Sequence, residues 1–157
     1  MTQPITLHAE EGKAFWSLNH LMTFKATGAE TGGAFGLMEH LGVPGTGAPP
    51  HVHHGEDEFF YVLEGEANFL FDGKPIAGKP GTFLFLPRDI EHGFEVVGAK
   101  PCRMLVGFTP AGLENFFAEM GEPAPSRTPP APAPPDMEKM LAQAAKFNYE
   151  IHPPSHA

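Results

Sequence analysis

Glycine and proline interrupt this sequence so often that they limit the chain to short strands and tight turns. Of its 157 residues, 18 are glycine and 18 are proline, against usual frequencies of about 7% and about 5%. The runs between them are rich in β-branched and aromatic residues, which is typical of an antiparallel sandwich or barrel. The clearest runs are 20–27, 34–43, 58–63, 66–71, 82–86, 92–96 and 103–108. We expect an all-β fold, with hairpins at Glu64-Gly65 and Asp72-Gly73.

After residue 109 the hydrophobic period changes from two residues to about 3.6, which predicts a helix. Thr109 is expected to cap this helix, Pro110 suits its first turn, and Gly121 is expected to end it. Its apolar face consists of Leu113, Phe116, Phe117 and Met120.

Three segments follow from these patterns. Residues 1–121 are expected to form the barrel with the first C-terminal helix, and residues 122–135 a proline-rich strap in an extended conformation. Residues 136–157 are expected to form an amphipathic helix, capped by Asp136, and a tail that packs on the barrel or on a second subunit. The apolar face of this last helix consists of Met137, Met140, Leu141 and Ala144.

Charge and composition exclude several classes of partner. The net charge is −9 and the sequence has no basic cluster, so nucleic acid and anionic membranes are poor partners and a small molecule is expected. The sequence contains no stretch of about 18 apolar residues, and its N-terminus does not resemble a secretory signal. A cytoplasmic location is therefore expected. The single cysteine, Cys102, lies in an apolar run that predicts a buried, structural thiol.

The most informative segment places histidines at alternate positions. Side chains at alternate positions of a strand point to the same side, so His51 and His53 are expected to project together. After a short turn, Glu58 opens the next strand and can bring a carboxylate to the same point. His92 lies in a distant strand with Phe94 and Val96 on its face, so it can supply a fourth ligand. The sequence thus predicts a mononuclear metal site made by His51, His53, Glu58 and His92.

These positions carry a known family pattern. The first segment resembles the cupin pattern G-x5-H-x-H-x4-E-x6-G without a mismatch, from Gly45 through the three ligands to Gly65. The second cupin pattern, G-x5-P-x-G-x2-H-x3-N, is met at the positions Gly81, Pro87 and His92. It departs at Asp89, where glycine is usual, and at Val96, where asparagine is usual. Aspartate tolerates the left-handed backbone of a turn glycine, so the first departure need not disturb the fold.

The resemblance implies a fold and a cofactor. Cupins are double-stranded β-helix (jelly-roll) barrels, commonly homodimeric, that bind one divalent ion: Mn, Fe, Ni, Cu, Zn or Co. The stretch PPHVHHGEDEFFYVLEGE is similar to single-barrel cupins of the quercetin-dioxygenase-like kind. For this chain the resemblance therefore implies a jelly-roll barrel with C-terminal helices and a homodimer.

Other polar residues near the pattern are expected to have different roles. His54 should face away from His53, on the exterior or beside the ligands. Glu56 and Asp57 are interpreted as turn and surface residues, because Glu58 alone has the required offset. His20 and His40 lie in predicted strands, where satisfied core or edge histidines are favoured over pocket-lining ones.

Two function classes remain open. Three imidazoles and one carboxylate leave coordination positions free, as a catalytic site does. The favoured hypothesis is a dioxygenase. A substrate enol or hydroxyl binds the metal as its anion after Glu58 takes the proton, and dioxygen then attacks the activated carbon of the substrate. The alternative is a non-catalytic cupin that binds a small molecule or metal, or a redox-silent isomerase or lyase.

Overall fold

Short strands cover most of the barrel region in the computed structural model, which describes residues 2–152. The strands in chain order are β1 Ala14–Ser17, β2 His20–Ala26, β3 Gly36–Gly42, β4 Gly47–His53, β5 Asp57–Glu64, β6 Glu66–Phe71, β7 Lys74–Gly78, β8 Phe83–Leu86, β9 His92–Val97, β10 Cys102–Thr109, β11 Glu122–Pro123 and β12 Tyr149–Ile151. The helices are α1 Gly28–Thr31, α2 Leu113–Met120 and α3 Met137–Lys146.

The described strands form two antiparallel sheets that face each other. The larger sheet has the order β11-β1-β2-β3-β10-β5-β8, and the smaller sheet has the order β12-β4-β9-β6-β7. Strands that are distant in the sequence are neighbours in both sheets, as in a jelly-roll. The predicted all-β jelly-roll class with C-terminal helices is confirmed.

The two predicted hairpins have different outcomes. The Asp72-Gly73 hairpin is confirmed, because β6 pairs with β7 directly across this turn. The Glu64-Gly65 hairpin is wrong: β5 lies in the larger sheet and β6 in the smaller one. At this point the chain crosses between the sheets with Gly65 at φ +73°, and a Cβ there would lie 2.3 Å from the Pro101 carbonyl oxygen. Glycine is required by this close approach and by the left-handed backbone.

Apolar side chains from both sheets and from α2 fill the space between the layers. The largest fully buried ones are Phe108, Phe116, Met22, Met104 and Leu113. Cys102 belongs to this core with 0% exposure, as predicted. Burial raises the pKa of its thiol to about 11.

The buried thiol leads to a reactivity prediction. A pKa about two units above the ordinary value lowers the thiolate fraction at pH 8 about 100-fold, and burial blocks access as well. We expect Cys102 to react with an aromatic disulfide reagent at least ~100-fold more slowly in the folded protein than in protein unfolded by 6 M guanidinium chloride. Absorbance of the released thiolate measures both rates, and comparable rates would contradict the structural interpretation of this cysteine.

The two C-terminal helices begin differently from each other. Thr109 does not cap α2: it is the last residue of β10, and its hydroxyl donates to the Ala34 carbonyl at 2.8 Å. Instead the buried carboxylate of Glu114 accepts the backbone N–H groups of Gly28 and Gly112, each at 2.7 Å. The predicted cap of α3 is confirmed, because the Asp136 carboxylate accepts the N–H of Lys139 at 2.9 Å.

The chain between α2 and α3 runs along the edge of the larger sheet. After β11 pairs with β1, the Trp16 indole N–H donates to the Thr128 carbonyl at 2.8 Å, and Asn19 exchanges two hydrogen bonds with Ala133. This edge contact brings α3 and β12 back to the barrel of the same chain, where β12 pairs with β4. Residues 153–157 of the predicted tail lie outside the described residues. Among residues 2–152, no helix combines the length and apolar character that crossing a membrane requires.

Candidate metal centre

Three strands bring the four predicted ligands to one point. His51 and His53 lie at alternate positions near the end of β4, His92 opens β9 directly opposite His51, and Glu58 is the second residue of β5. All four side chains are buried, with exposures of 2 to 4%. One nitrogen or oxygen from each lies within 4.8 Å of those of the other three. The sequence-predicted residues therefore form one cluster that could hold a metal ion.

Backbone carbonyls orient two of the imidazoles. Nδ1 of His51 donates to the Pro49 carbonyl at 2.7 Å, and Nδ1 of His92 donates to the Ile90 carbonyl at 3.1 Å. These bonds orient both rings so that Nε2 of each faces the cluster, and when Nε2 is deprotonated it is the nitrogen available to a metal ion. Nε2 of His92 lies 2.9 Å from Oε2 of Glu58.

The third imidazole faces a carboxylate that the sequence did not single out. Nε2 of His53 lies 3.3 Å from Oε2 of Glu58, and its Nδ1 lies 3.9 Å from Oε2 of Glu56. Both this Nδ1 and this Oε2 are buried without a hydrogen-bond partner among residues 2–152. Glu56 lies between β4 and β5 and outside the four-residue cluster, as interpreted, but its side chain is only 12% exposed and so lies deeper than a surface residue. At 3.9 Å, Nδ1 of His53 and Oε2 of Glu56 are too far apart for a hydrogen bond.

Burial and neighbouring charges set the protonation of the cluster. Burial, followed by positive charge on His92 and His53, lowers the pKa of His51 to about 3. Burial alone would raise the pKa of Glu58, but the charges and hydrogen bonds of His53 and His92 outweigh it and hold that pKa well below the usual range. Three imidazoles and one carboxylate form a donor set that fits a divalent first-row ion, which would take the place of the protons shared within the cluster.

The turn before β9 keeps its backbone conformation although Asp89 stands where the cupin pattern usually has glycine. Asp89 has φ +66°, the left-handed conformation expected at this position. Its N–H donates to the His53 carbonyl at 2.8 Å, and its carboxylate accepts from Nδ1 of His54 at 2.6 Å. His54 thus faces away from the cluster, as predicted. Asp57 is paired with Arg88 at the surface, with a 3.1 Å contact, and is not part of the cluster.

A cavity of about 430 Å³ adjoins the cluster, within the range of roughly 300–1,000 Å³ that is usual for small-molecule sites. His51, His53 and Glu58 form part of its wall. The rest of the wall is mostly apolar and includes Met22, Met38, Phe60, Phe94, Val106 and Met140. Three of the four predicted ligands therefore face a space that can take a small, largely apolar molecule.

Sequence reasoning missed one aromatic residue of this site. The ring of Tyr149 in β12 is stacked on His53, with centroids 4.6 Å apart and planes 8° apart, and its edge contacts His51 at 5.0 Å. Burial, followed by the negative charge of Glu58, raises the pKa of its hydroxyl well above the usual range. A lone tyrosine near the C-terminus carries no sequence signal for this position.

His20 and His40 both lie in the cavity wall, with ring centroids 4.1 Å apart. The interpretation of these residues as satisfied core histidines is wrong. Nε2 of His20 and Nδ1 of His40 are buried and have no hydrogen-bond partner in the described part of the chain.

Comparisons with known proteins agree with this architecture. The sequence profile of the Cupin domain matches residues 41–108, which include all four candidate ligands. The chain is 29% identical over 120 residues to quercetin 2,3-dioxygenase of Bacillus subtilis. The aligned residues cover 76% of this chain but only 35% of that protein. The chain thus spans about a third of the length of this relative.

Two further proteins match over more of their own length. A protein named polyketide synthase CurC, from Streptomyces cyaneus, is 30% identical over 109 residues, which cover 69% of each chain. A solved structure described as a "predicted oxalate decarboxylase" from Thermotoga maritima superimposes with a TM-score of 0.62 and 23% identity over 68% of this chain and 99% of that chain. The profile match, these relatives and the jelly-roll fold together show that the chain belongs to the cupin superfamily.

Proposed function

We propose that this cupin is a metal-dependent oxidoreductase of the dioxygenase type that acts on a small enolisable or phenolic, flavonol-like substrate. The observation that carries the proposal is a buried cluster of three histidines and one glutamate, of which His51, His53 and Glu58 line an apolar cavity. His51, His53, Glu58 and His92 would hold the ion. A redox-active divalent ion bound there would supply Lewis acidity and electron exchange with dioxygen.

Each part of the site has a role in this proposal. Glu58 lines the cavity and is ionised, so it can accept the proton of a substrate hydroxyl that approaches the cluster. The apolar wall excludes water, which strengthens electrostatic interactions inside the cavity. Tyr149 and Met140, from β12 and α3, cover one side of the cavity and hold water away from the substrate.

The relationship to quercetin 2,3-dioxygenase supports an enolisable aromatic substrate. Because the chain covers only about a third of that protein's length, the relationship does not establish a shared substrate, and we propose the enolisable aromatic class from the relationship together with the cavity. A cavity with aromatic walls, including Phe60 and Phe94, favours a planar ring system through stacking and edge contacts.

The test is oxygen uptake by metal-reconstituted protein. Protein loaded separately with Mn, Fe, Co, Ni or Cu is mixed with 3-hydroxyflavone or quercetin, and an oxygen electrode follows the reaction. We expect uptake that matches substrate loss with at least one metal, and a decrease of about 10²- to 10⁴-fold in rate for Glu58→Gln, because the proton acceptor is lost.

Asp57→Asn provides the matched control, since Asp57 is the neighbouring carboxylate but pairs with Arg88 outside the cluster. This variant should keep the wild-type rate within about twofold. If metal-loaded protein takes up no oxygen with any redox-active ion, the dioxygenase proposal is wrong.

A second function is favoured by one observation. Glu58 can move a proton without oxygen, because its carboxylate is ionised and lies 2.9 Å from Nε2 of His92. A redox-silent lyase or isomerase, or a non-catalytic binding module, would use the same four residues. Tight binding of small acids or phenols to the zinc-loaded protein, together with no oxygen uptake under any metal, would favour this second function.

A further inference from the structure

The chain beyond the Cupin domain profile forms part of the cavity wall. The profile ends at residue 108, and the chain continues through α2, the strap, α3 and β12. The cavity-lining residues from this C-terminal extension are Phe117, Pro135, Met137, Met140, Tyr149 and Ile151. Among these described residues, only Tyr149 has an oxygen or nitrogen in its side chain. The extension therefore brings one hydrogen-bonding side chain, a phenol, to the cavity.

Two aromatic contacts hold the ring of Tyr149 in place. Tyr149 and His53 lie opposite each other in the pairing of β12 with β4, so both side chains project from the same face of the sheet. Their rings are 8° from parallel, with centroids 4.6 Å apart. The fully buried ring of Phe116 makes an edge contact with Tyr149 at 5.1 Å. The phenol is thus packed between a candidate metal ligand and a core residue.

The hydroxyl of Tyr149 is available to a bound molecule. A tyrosine side chain is longer than a histidine side chain, so a phenol that runs parallel to the His53 imidazole carries its hydroxyl beyond that ring. Burial, followed by the charge of Glu58, raises the pKa of this hydroxyl, as expected on the cluster side of the ring. Within residues 2–152 the hydroxyl makes no hydrogen bond, and it is not among the buried atoms that a water-sized molecule cannot reach.

The chemistry of a phenol selects the kind of group that it binds. A tyrosine hydroxyl carries its proton at neutral pH and can donate one hydrogen bond. A substrate oxygen that gives its proton to Glu58 becomes an anion near this donor. A hydrogen bond to an ionised acceptor is roughly twice as strong as one between neutral groups. The hydroxyl of Tyr149 is therefore suited to stabilise the substrate anion more than the neutral substrate.

We propose that Tyr149 is a substrate-binding residue whose hydroxyl donates a hydrogen bond to the deprotonated oxygen that the substrate presents to the cluster. The inference rests on the proposed function and deepens it. The site selects an aromatic molecule that binds as its enolate or phenolate over the same ring system without that oxygen. The donor comes from β12, outside the residues that the Cupin domain profile matches.

Binding of two matched ligands to zinc-loaded protein tests the proposal without turnover. 3-Hydroxyflavone carries the enol oxygen, and flavone is the same molecule without it. Isothermal titration calorimetry under nitrogen measures both affinities. Tyr149→Phe keeps the ring and removes only the hydroxyl. We expect it to weaken the binding of 3-hydroxyflavone about 10- to 100-fold, as for a hydrogen bond to a charged group, and to change the binding of flavone less than about threefold.

The ionisation of the bound ligand gives a second measurement. The anion of 3-hydroxyflavone absorbs at longer wavelength than the neutral molecule, so absorbance gives the fraction that is ionised. Tyr149→Phe should raise the pH at which bound 3-hydroxyflavone is half ionised by at least about one unit, because only the anion loses a strong hydrogen bond. Tyr61→Phe is the matched control, since it removes the other tyrosine hydroxyl of the chain, on β5, where Tyr61 is 41% exposed. It should change neither measurement.

A third measurement keeps Tyr149 and so does not depend on how well Tyr149→Phe folds. Tyr61→Phe protein labelled with 3-fluorotyrosine contains fluorine only at residue 149. Its fluorine NMR resonance should move further with 3-hydroxyflavone than with flavone. Thermal unfolding and zinc content of each variant check that the fold and the cluster are intact.

The outcomes separate this inference from the proposed function. Equal effects of Tyr149→Phe on the two ligands, an unchanged ionisation of 3-hydroxyflavone, or equal fluorine shifts overturn the role of Tyr149 even if oxygen uptake is observed. A loss confined to 3-hydroxyflavone, without uptake under any metal, supports the role of Tyr149 and overturns the dioxygenase. Failure of 3-hydroxyflavone to bind the wild-type protein overturns the substrate class in both proposals.

Discussion

Replacing His92 with alanine is expected to lower the affinity of the protein for a divalent ion at least about 100-fold, because it removes one of the four donors. Loss of a residue that only orients a donor lowers metal affinity about 10- to 100-fold, and loss of the donor itself should cost at least as much. His92 closes the cluster from β9, opposite His51, and its Nε2 lies 2.9 Å from Glu58. Without this imidazole, the remaining three donors would leave the ion open to solvent. Competition with a metal-binding dye measures the affinity, and elemental analysis measures the bound ion.

The matched control for this experiment is His54→Ala. His54 is adjacent to His53 in the sequence, but its ring bonds to Asp89 and points away from the cluster. We expect this variant to keep the wild-type metal affinity within roughly threefold. Equal losses in His92→Ala and His54→Ala would mean that bound metal depends on general surface histidines and not on the cluster.

The second large effect is on stability. Replacing Phe108 with alanine should lower the free energy of unfolding by about 3–5 kcal/mol, the usual cost of removing a fully buried aromatic side chain. Phe108 is 0% exposed and lies opposite Glu58 in the pairing of β10 with β5. Its ring occupies the space next to Gly36, where a Cβ would lie 2.2 Å from it. Urea unfolding measures the change, provided that the slope of the transition is unchanged.

Phe83→Ala is the control for Phe108, because Phe83 is 61% exposed on β8. Its effect should stay within about 0.5 kcal/mol, as for most surface substitutions. A small loss for Phe108→Ala, or equal losses for the two variants, would contradict the burial of the Phe108 ring in the core.

The sequence predicted the cluster because the relevant information is local. The alternation of His51 and His53 along one strand, and the turn to Glu58, lie within eight residues. The apolar face that carries His92 could be identified for the same reason, since a period of two separates the two faces of a strand. The structure brings these residues together where the patterns predicted.

Features that depend on distant pairing could not be predicted. β12 is a three-residue strand that pairs with β4, about 100 residues away in the sequence, and nothing in residues 149–151 specifies that partner. Tyr149 reaches the cluster only through this pairing. The crossing at Gly65 was mistaken for a hairpin because the same turn residue suits both a hairpin and a chain that passes between two sheets.

Depth of burial is the other limit of sequence reasoning. Alternation shows which face a side chain takes but not how deep it lies or which partners remain for its polar atoms. Glu56 was interpreted as a surface residue and yet faces His53. His20 and His40 were expected to be satisfied, and their free nitrogens appear only when both sheets are in place.

Anomalous diffraction from crystals of the metal-reconstituted protein, collected at the absorption edge of the added ion, tests the central claim most directly. The account predicts one anomalous peak per chain, at about 2.0–2.3 Å from a donor atom of each of His51, His53, Glu58 and His92. Strong density elsewhere, or a peak that one of these four side chains does not contact, would contradict it.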